Sequence, residues 1–213
     1  MIDIYYSRVA CNTFIVYNKD KEGFLVDPGY NNNNVLLDHI KKIGVNIKAI
    51  LITHAHFDHI CALEDIVNEF KDVKVYIHEE EAELLTNPKH NLTIEVKDEI
   101  GKLLDFSPKS LILLQDNEEF EVSGFKIRCI HTPFHTKGSC CYLVESEKAL
   151  FSGDSLFYTT IGRTDLPTGS NRTVESSLLK IKNLPDNLKV YPGHGVITDL
   201  DREKKYNQYL RNI

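Results

Sequence analysis

The chain has no run of basic residues: 25 Lys and Arg are dispersed among 31 Asp and Glu, for a net charge of -6 over 213 residues. Nucleic acid and anionic membrane surfaces are therefore not expected partners, because nothing supplies the electrostatic footprint that either requires. No apolar run is long enough to span a bilayer. The stretch from Met1 to Tyr17, broken by Asp3, Arg8 and Asn12, has no basic segment leading into an apolar one. A cytoplasmic location is expected. There is no C-x-x-C pair, and the five cysteines (Cys11, Cys61, Cys129, Cys140, Cys141) are odd in number, which argues against a disulfide framework and against a cysteine-based metal site. Cys129, Cys140 and Cys141 fall in apolar, strand-like runs and read as buried thiols. The length suits one domain, residues 1–213, with a substantial core.

The first quarter reads as an antiparallel meander over Ile2 to Tyr6, Thr13 to Tyr17 and Gly23 to Val26, closed by Asp27-Pro28-Gly29. Asn31 to Asn34 can cap a helix running to Ile43, which Gly44 stops. An apolar strand over Ile47 to Ile52 follows, then a helix over Ile60 to Phe70, a strand over Val73 to His78 and a helix over Glu79 to Leu85, in βαβ order. Residues 87–110, broken by Pro88, Gly101 and Pro108, read as a short helical excursion. A hairpin through Ser123-Gly124 opens a second β-rich half. Strands at Ser139 to Val144, Ala149 to Ser152 and Leu188 to Tyr191 belong to it, with helices over about Arg172 to Lys182 and from Asp201.

What the chain does have is Thr53-His54-Ala55-His56-Phe57-Asp58-His59, three imidazoles and a carboxylate within six residues at a strand-to-helix junction. His54 and His56, two apart on an extended backbone, project the same way and can meet one cation. Asp58 and His59 lie past the bend and can reach a second. Without a cation, so many polar groups packed together would be left desolvated and unpaired, which is costly. Further donors sit where other strands end: His131 and His135 around Thr132-Pro133, Asp154 after Ser152-Gly153, and His194 within Pro192-Gly193-His194-Gly195. His39, His78 and His90 read as structural or solvent-facing. His131 is open between ligand and support. Asp27 and Thr53 are open between hydrogen bonds to the ligands and ordinary turn or strand-end roles.

These motifs resemble those of the metallo-β-lactamase fold superfamily along nearly the whole chain, and Gly162-Arg163-Thr164-Asp165 resembles its glyoxalase II-like hydrolases and the related persulfide dioxygenases. The resemblance implies an α/β, four-layer αββα sandwich with two cations at one edge. It assigns His54, His56 and His135 to the first cation, Asp58, His59 and His194 to the second, and Asp154 to both. The chain departs from the pattern at Ile60-Cys61-Ala62 and Phe134, where glycines are frequent and bulk could crowd the pocket. It lacks the tyrosine and the long helical tail that hold glutathione in glyoxalase II proper. Arg163 is a candidate for an anionic substrate group, against pairing with Asp165.

Imidazole and carboxylate donors suit zinc, with iron or manganese as alternatives. Open coordination positions point to catalysis. The expectation is a binuclear metallohydrolase acting on a small-molecule thioester or related ester, in which hydroxide held at the metal attacks the carbonyl and Asp58 orients it. The alternatives are a mononuclear-iron persulfide dioxygenase, a lactonase and a metal-binding module without turnover. Oligomeric state is left open.

Overall fold

Alternation along the strands sets the layers. In β2 (Asn12–Tyr17) Phe14 and Val16 point to one face and Ile15 and Tyr17 to the other, and all four are buried. A sheet built from such strands must be covered on both sides. The computed structural model describes residues 1–6, 11–30 and 34–213 and shows how this is met.

The first sheet runs β1 (Ile2–Tyr6), β2, β3 (Glu22–Val26), β4 (Asn46–Ile52), β5 (Lys74–His78) and β6 (Leu111–Leu114). The first three strands pair antiparallel as expected, and β3 to β6 run parallel. The second sheet runs β12 (Thr198–Asp199), β11 (Lys189–Pro192), β10 (Ala149–Gly153), β9 (Cys140–Val144), β8 (Phe125–His131) and β7 (Glu119–Val122). It is antiparallel except for β10 with β11. Ser123 and Gly124 both take positive φ, 52° and 84°, which a tight hairpin between β7 and β8 requires.

Phe14, Phe24, Leu51 and Tyr76 from one sheet meet Ile127, Tyr142 and Phe151 from the other in the central layer. The outer face of the first sheet is covered by α1 (Val35–Ile43) and α3 (Leu63–Glu69). That of the second is covered by α5 (Val174–Lys182), α6 (Leu200–Tyr206) and α7 (Gln208–Arg211). The result is the αββα sandwich. The sheets are also bonded directly: Tyr142 Oη donates to the Ile52 carbonyl at 2.9 Å, and Cys140 N–H to the Thr53 carbonyl at 2.9 Å. All five cysteines are buried free thiols, and among the described residues no helix is long and apolar enough to cross a membrane.

Several elements differ from the sequence expectation. The helix read over 60–70 is two: α2 (Phe57–Ile60) starts earlier, and α3 begins after a break at Cys61 and Ala62. There Ala62 N–H donates to the Pro28 carbonyl rather than along a helix. The helix read over 79–85 is a 3-10 helix, Glu79–Thr86. The excursion contains α4 (Thr93–Ile100), and the strand β6 that follows it was not anticipated. Of the Asn31 to Asn34 cap, Asn31 to Asn33 lie outside the described residues, while Asn34 occupies the N-cap of α1 with φ 61°.

Candidate metal centre

Five strand ends deliver the chemistry to one edge of the sandwich: β3 brings Asp27, β4 brings His54 and His56, β8 leads to His135, β10 to Asp154 and β11 to His194. Two glycines permit the approach. Gly153 takes φ +48°, and a Cβ there would lie 2.4 Å from Thr53 Oγ1. A Cβ on Gly193 would lie 2.4 Å from Asp154 Oδ1 and 2.6 Å from His59 Cε1, so only glycine lets the β11 loop pass.

The structure brings all seven residues read as ligands together. The rings of His54, His56 and His135 stand nearly perpendicular to one another at centroid distances of 4.7 to 4.8 Å. His56 Nδ1 is 3.0 Å from His135 Nε2, a nitrogen pair that needs a proton or a cation between its members. Alongside, His194 Nε2 lies 3.0 Å from Asp58 Oδ2 and 3.3 Å from His59 Nε2. Asp154 stands between the two groups: Oδ1 is 3.4 Å from His59 Nε2, and Oδ2 is 3.4 Å from His135 Nε2 and 3.6 Å from His194 Nε2. The groups His54, His56, His135 and Asp58, His59, His194 each offer donor atoms within 4.8 Å of one another, as do His54, His59 and Asp154. His54 Nε2, His56 Nε2 and Asp154 Oδ1 are buried without a hydrogen-bond partner. Buried polar atoms are rarely orphaned, and cations fit these.

The support around the donors is where the sequence was least informative. Asp27 is buried at φ 51° rather than a surface turn residue. Its Oδ2 accepts from His59 Nδ1 at 2.9 Å and from Thr53 Oγ1 at 2.6 Å, and its Oδ1 accepts from Thr53 N at 2.8 Å. This turns His59 Nε2 inward. Asp27→Ala is expected to weaken cation binding by about tenfold to a hundredfold, measured by competition with a chelating dye. Arg163 does not face the centre: its guanidinium holds Asp165 through two bonds, at 2.6 and 2.8 Å. Its main chain contributes instead, the carbonyl accepting from His135 Nδ1 at 2.8 Å, and Gly162 packs against the Asp154 carbonyl. Phe134 is fully buried in the outer core of the second sheet, so it does not crowd the pocket. His131 stacks on His78 at 3.7 Å, with Nε2 donating to the Lys137 carbonyl, away from the donors.

Glu81 was missed altogether. It is fully buried, with Oε1 accepting from Ala55 N at 2.8 Å and Oε2 from Thr136 Oγ1 at 2.7 Å and Gly138 N at 2.9 Å. It thereby ties the loop carrying His54 and His56 to the loop carrying His135. Burial pushes its carboxyl up to about 7, against the donors that pull it down. The one signal in the sequence was three consecutive glutamates directly after an apolar strand.

A family model, the Metallo-beta-lactamase superfamily, matches residues 6–194. The chain belongs to that superfamily. It is 33% identical to a probable metallo-hydrolase of Streptococcus pyogenes, covering 93% of this chain and 85% of the relative. It is 28% identical to the hydroxyacylglutathione hydrolase GloC of Haemophilus influenzae, covering 94% and 93%. Among solved structures, the BLEG-1 B3 metallo-beta-lactamase superposes with a TM-score of 0.90 at 33% identity, covering 99% of both chains.

Within this superfamily framework His54 and His56 carry the opposite charge tendency to His59 and His194. Burial first, and then neighbouring His59 and His135, hold His54 well below the ordinary imidazole range. Burial and His135 bring His56 down to about 3. His59 goes the other way: burial opposes its charge, but Cys11, Asp27, Asp58 and Asp154 raise it well above the ordinary range. For His194 burial again opposes, and the Asp58 hydrogen bond raises it. Burial would raise Asp58, yet His59 and then His194 hold it below the carboxylate range.

A cation must displace a proton from a ring whose pKa is raised, and affinity falls as pH drops through that value. At His54 and His56 no proton is held near neutrality. The zinc equivalent at Asp58, His59 and His194 is therefore expected to weaken by about tenfold per pH unit for each proton displaced between pH 8 and 6, and by more than the equivalent at His54, His56 and His135. Zinc titrations at both pH values check this; equal weakening of both equivalents would contradict it.

Proposed function

We infer that this chain hydrolyses thioesters or related esters of small molecules at two divalent cations, zinc by preference. His54, His56 and His135 hold one, Asp58, His59 and His194 the other, and Asp154 is shared. The observation that carries this reading is the position of Asp154, within 3.4 to 3.6 Å of nitrogens in both groups. When bound, a cation pair lowers the pKa of a water toward about 7 and polarises a carbonyl oxygen.

The chain's own residues do the rest. His54, His56 and His59 are buried, whereas the His194 side chain is 41% exposed and that of Asp58 18%, so substrate approaches from the Asp58 and His194 side. Asp58 there accepts a hydrogen bond from the attacking water and orients it. Asp27 and the Arg163 carbonyl fix the His59 and His135 rings through their Nδ1 atoms, keeping both Nε2 atoms turned inward. A thiolate, with a thiol pKa of about 8.5, leaves without a proton donor. An amine would need one, which favours a thioester over the amide of a lactam.

The name of the Haemophilus influenzae relative supports a thioester substrate. Its glutathione half is not carried over, because Arg163 is engaged by Asp165. The test is elemental analysis of natively expressed protein followed by thioesters, lactones, β-lactams and persulfides on one preparation. About two metals per chain with thioester turnover is the expected result. One iron per chain with oxygen uptake on a persulfide would overturn it, and full metal loading with no turnover on the whole panel would leave a binding module.

A further inference from the structure

Next to the centre, on the side from which substrate approaches, is a cavity of about 180 Å³ lined by Gly29, Tyr30, Phe57, Asp58, Cys61, Glu99 and Ile100. It shares Asp58 with the candidate metal centre, and its other walls are mostly aromatic or aliphatic. We propose that this cavity is the acyl site, and that it selects apolar acyl groups of about the bulk of a phenyl ring that carry no negative charge at their far end. The proposal rests on the hydrolase reading above and deepens it by naming the acyl class.

Size, rigidity and charge argue for it. A cavity of about 150 Å³ with aliphatic and aromatic walls accepts benzene, so a phenyl group or a chain of similar volume fits here, while an acetyl group leaves it largely unfilled. Main-chain bonds hold the walls at Phe57 and beside Gly29. Phe57 N–H donates to the Asn91 carbonyl at 2.8 Å, and Asn91 is itself buried, with its amide on the carbonyls of Leu84 and Leu104. Ala62 N–H donates to the Pro28 carbonyl at 2.9 Å, which holds the Gly29 and Tyr30 turn against α2. Gly101 ends α4 at φ +74°, directly after Ile100. A cavity that needs no rearrangement returns the transfer free energy of its occupant with little ordering cost.

The two charged groups on the lining are both carboxylates. Asp58 belongs to the donor set, which leaves Glu99, exposed on α4, to act on the far end of the acyl group. A second carboxylate placed there meets like charge; an uncharged or amine-bearing end does not. Lys102 is close enough to act on the Cys61 thiol, but it does not line the cavity.

The experiment uses metal-loaded protein with acetyl, phenylacetyl and succinyl thioesters of one thiol, N-acetylcysteamine. The kcat/KM ratio of phenylacetyl to acetyl is expected to be about tenfold to a hundredfold in favour of phenylacetyl, the range for burying one large apolar group. Ile100→Trp, which fills the cavity, is expected to lower that ratio at least about tenfold, and Glu99→Gln to raise the succinyl to acetyl ratio several-fold. An unchanged phenylacetyl ratio in Ile100→Trp overturns the proposal. A second measurement separates it from the hydrolase reading: calorimetric titration with phenylacetate and with acetate. If no thioester is turned over but phenylacetate binds at least about tenfold tighter than acetate, and Ile100→Trp abolishes the difference, the cavity stands and the thioester reading falls. If phenylacetate binds no tighter than acetate, the cavity proposal fails whatever the turnover.

Discussion

Asp154→Ala is expected to lose bound metal and activity together. Among the described residues Asp154 is the side chain whose carboxylate lies within reach of His135, His59 and His194 at once, and its buried Oδ1 has no hydrogen-bond partner. Removing it leaves the two groups of imidazoles facing one another without the shared negative charge. Metal content should fall from about two equivalents to one or fewer, and kcat/KM by at least about a thousandfold, equivalent to about 4 kcal/mol of transition-state stabilisation. Inductively coupled plasma analysis and thioester kinetics on the same sample measure both. Unchanged metal content and turnover would refute the shared role.

The second large effect is expected at a residue that touches no donor. Glu81→Ala leaves Ala55 N–H and Gly138 N–H buried without acceptors. Each unpaired group costs about 1–3 kcal/mol, so the metal-free protein should lose roughly 3 kcal/mol or more and melt about 6–12 °C lower for a chain of this size. Because Glu81 joins the loops of His54, His56 and His135, cation binding there should weaken more than at Asp58, His59 and His194. Zinc titration would show one equivalent weakened and the other kept; equal weakening would mean only a general loss of fold.

The pH dependence has a definite sign. The Glu81 carboxyl titrates at about 7 when folded, above its ordinary 4.5. Its contribution is complete below about 4.5 and is lost as pH rises through about 7. Glu81→Gln, with no proton to lose, should flatten that decline in melts of the metal-free protein at pH 5 and 8.

What the sequence revealed follows from how local each signal is. His54, His56, Asp58 and His59 are adjacent, and their spacing on a strand and a bend already separates two directions. Asp154 and His194 were legible because Gly153 and Gly193 mark the turns that aim them. Glu81 was not, because its partners lie 26 to 57 residues away and only the packed loops bring them to one carboxylate. Leu111–Leu114 lacks the alternation that marks a strand, so β6 emerged only from its pairing with β5. Arg163 was read for its guanidinium, whereas it is its carbonyl that faces His135. Main-chain roles of this kind leave no trace in side-chain identity. Phe134 was read as pocket bulk because the sequence cannot say which face of the second sheet it covers.

The Asn12 side chain holds the carbonyls of Pro192 and Gly195 at 3.0 Å, while its N–H donates to the Gly193 carbonyl at 2.7 Å. The first residue of β2 therefore grips the turn that carries His194, some 180 positions further on. A chain cut before Pro192 would keep six of the seven proposed donors and leave Asn12 with no turn to hold, so the last of those donors to be positioned depends on one of the first residues of the sandwich.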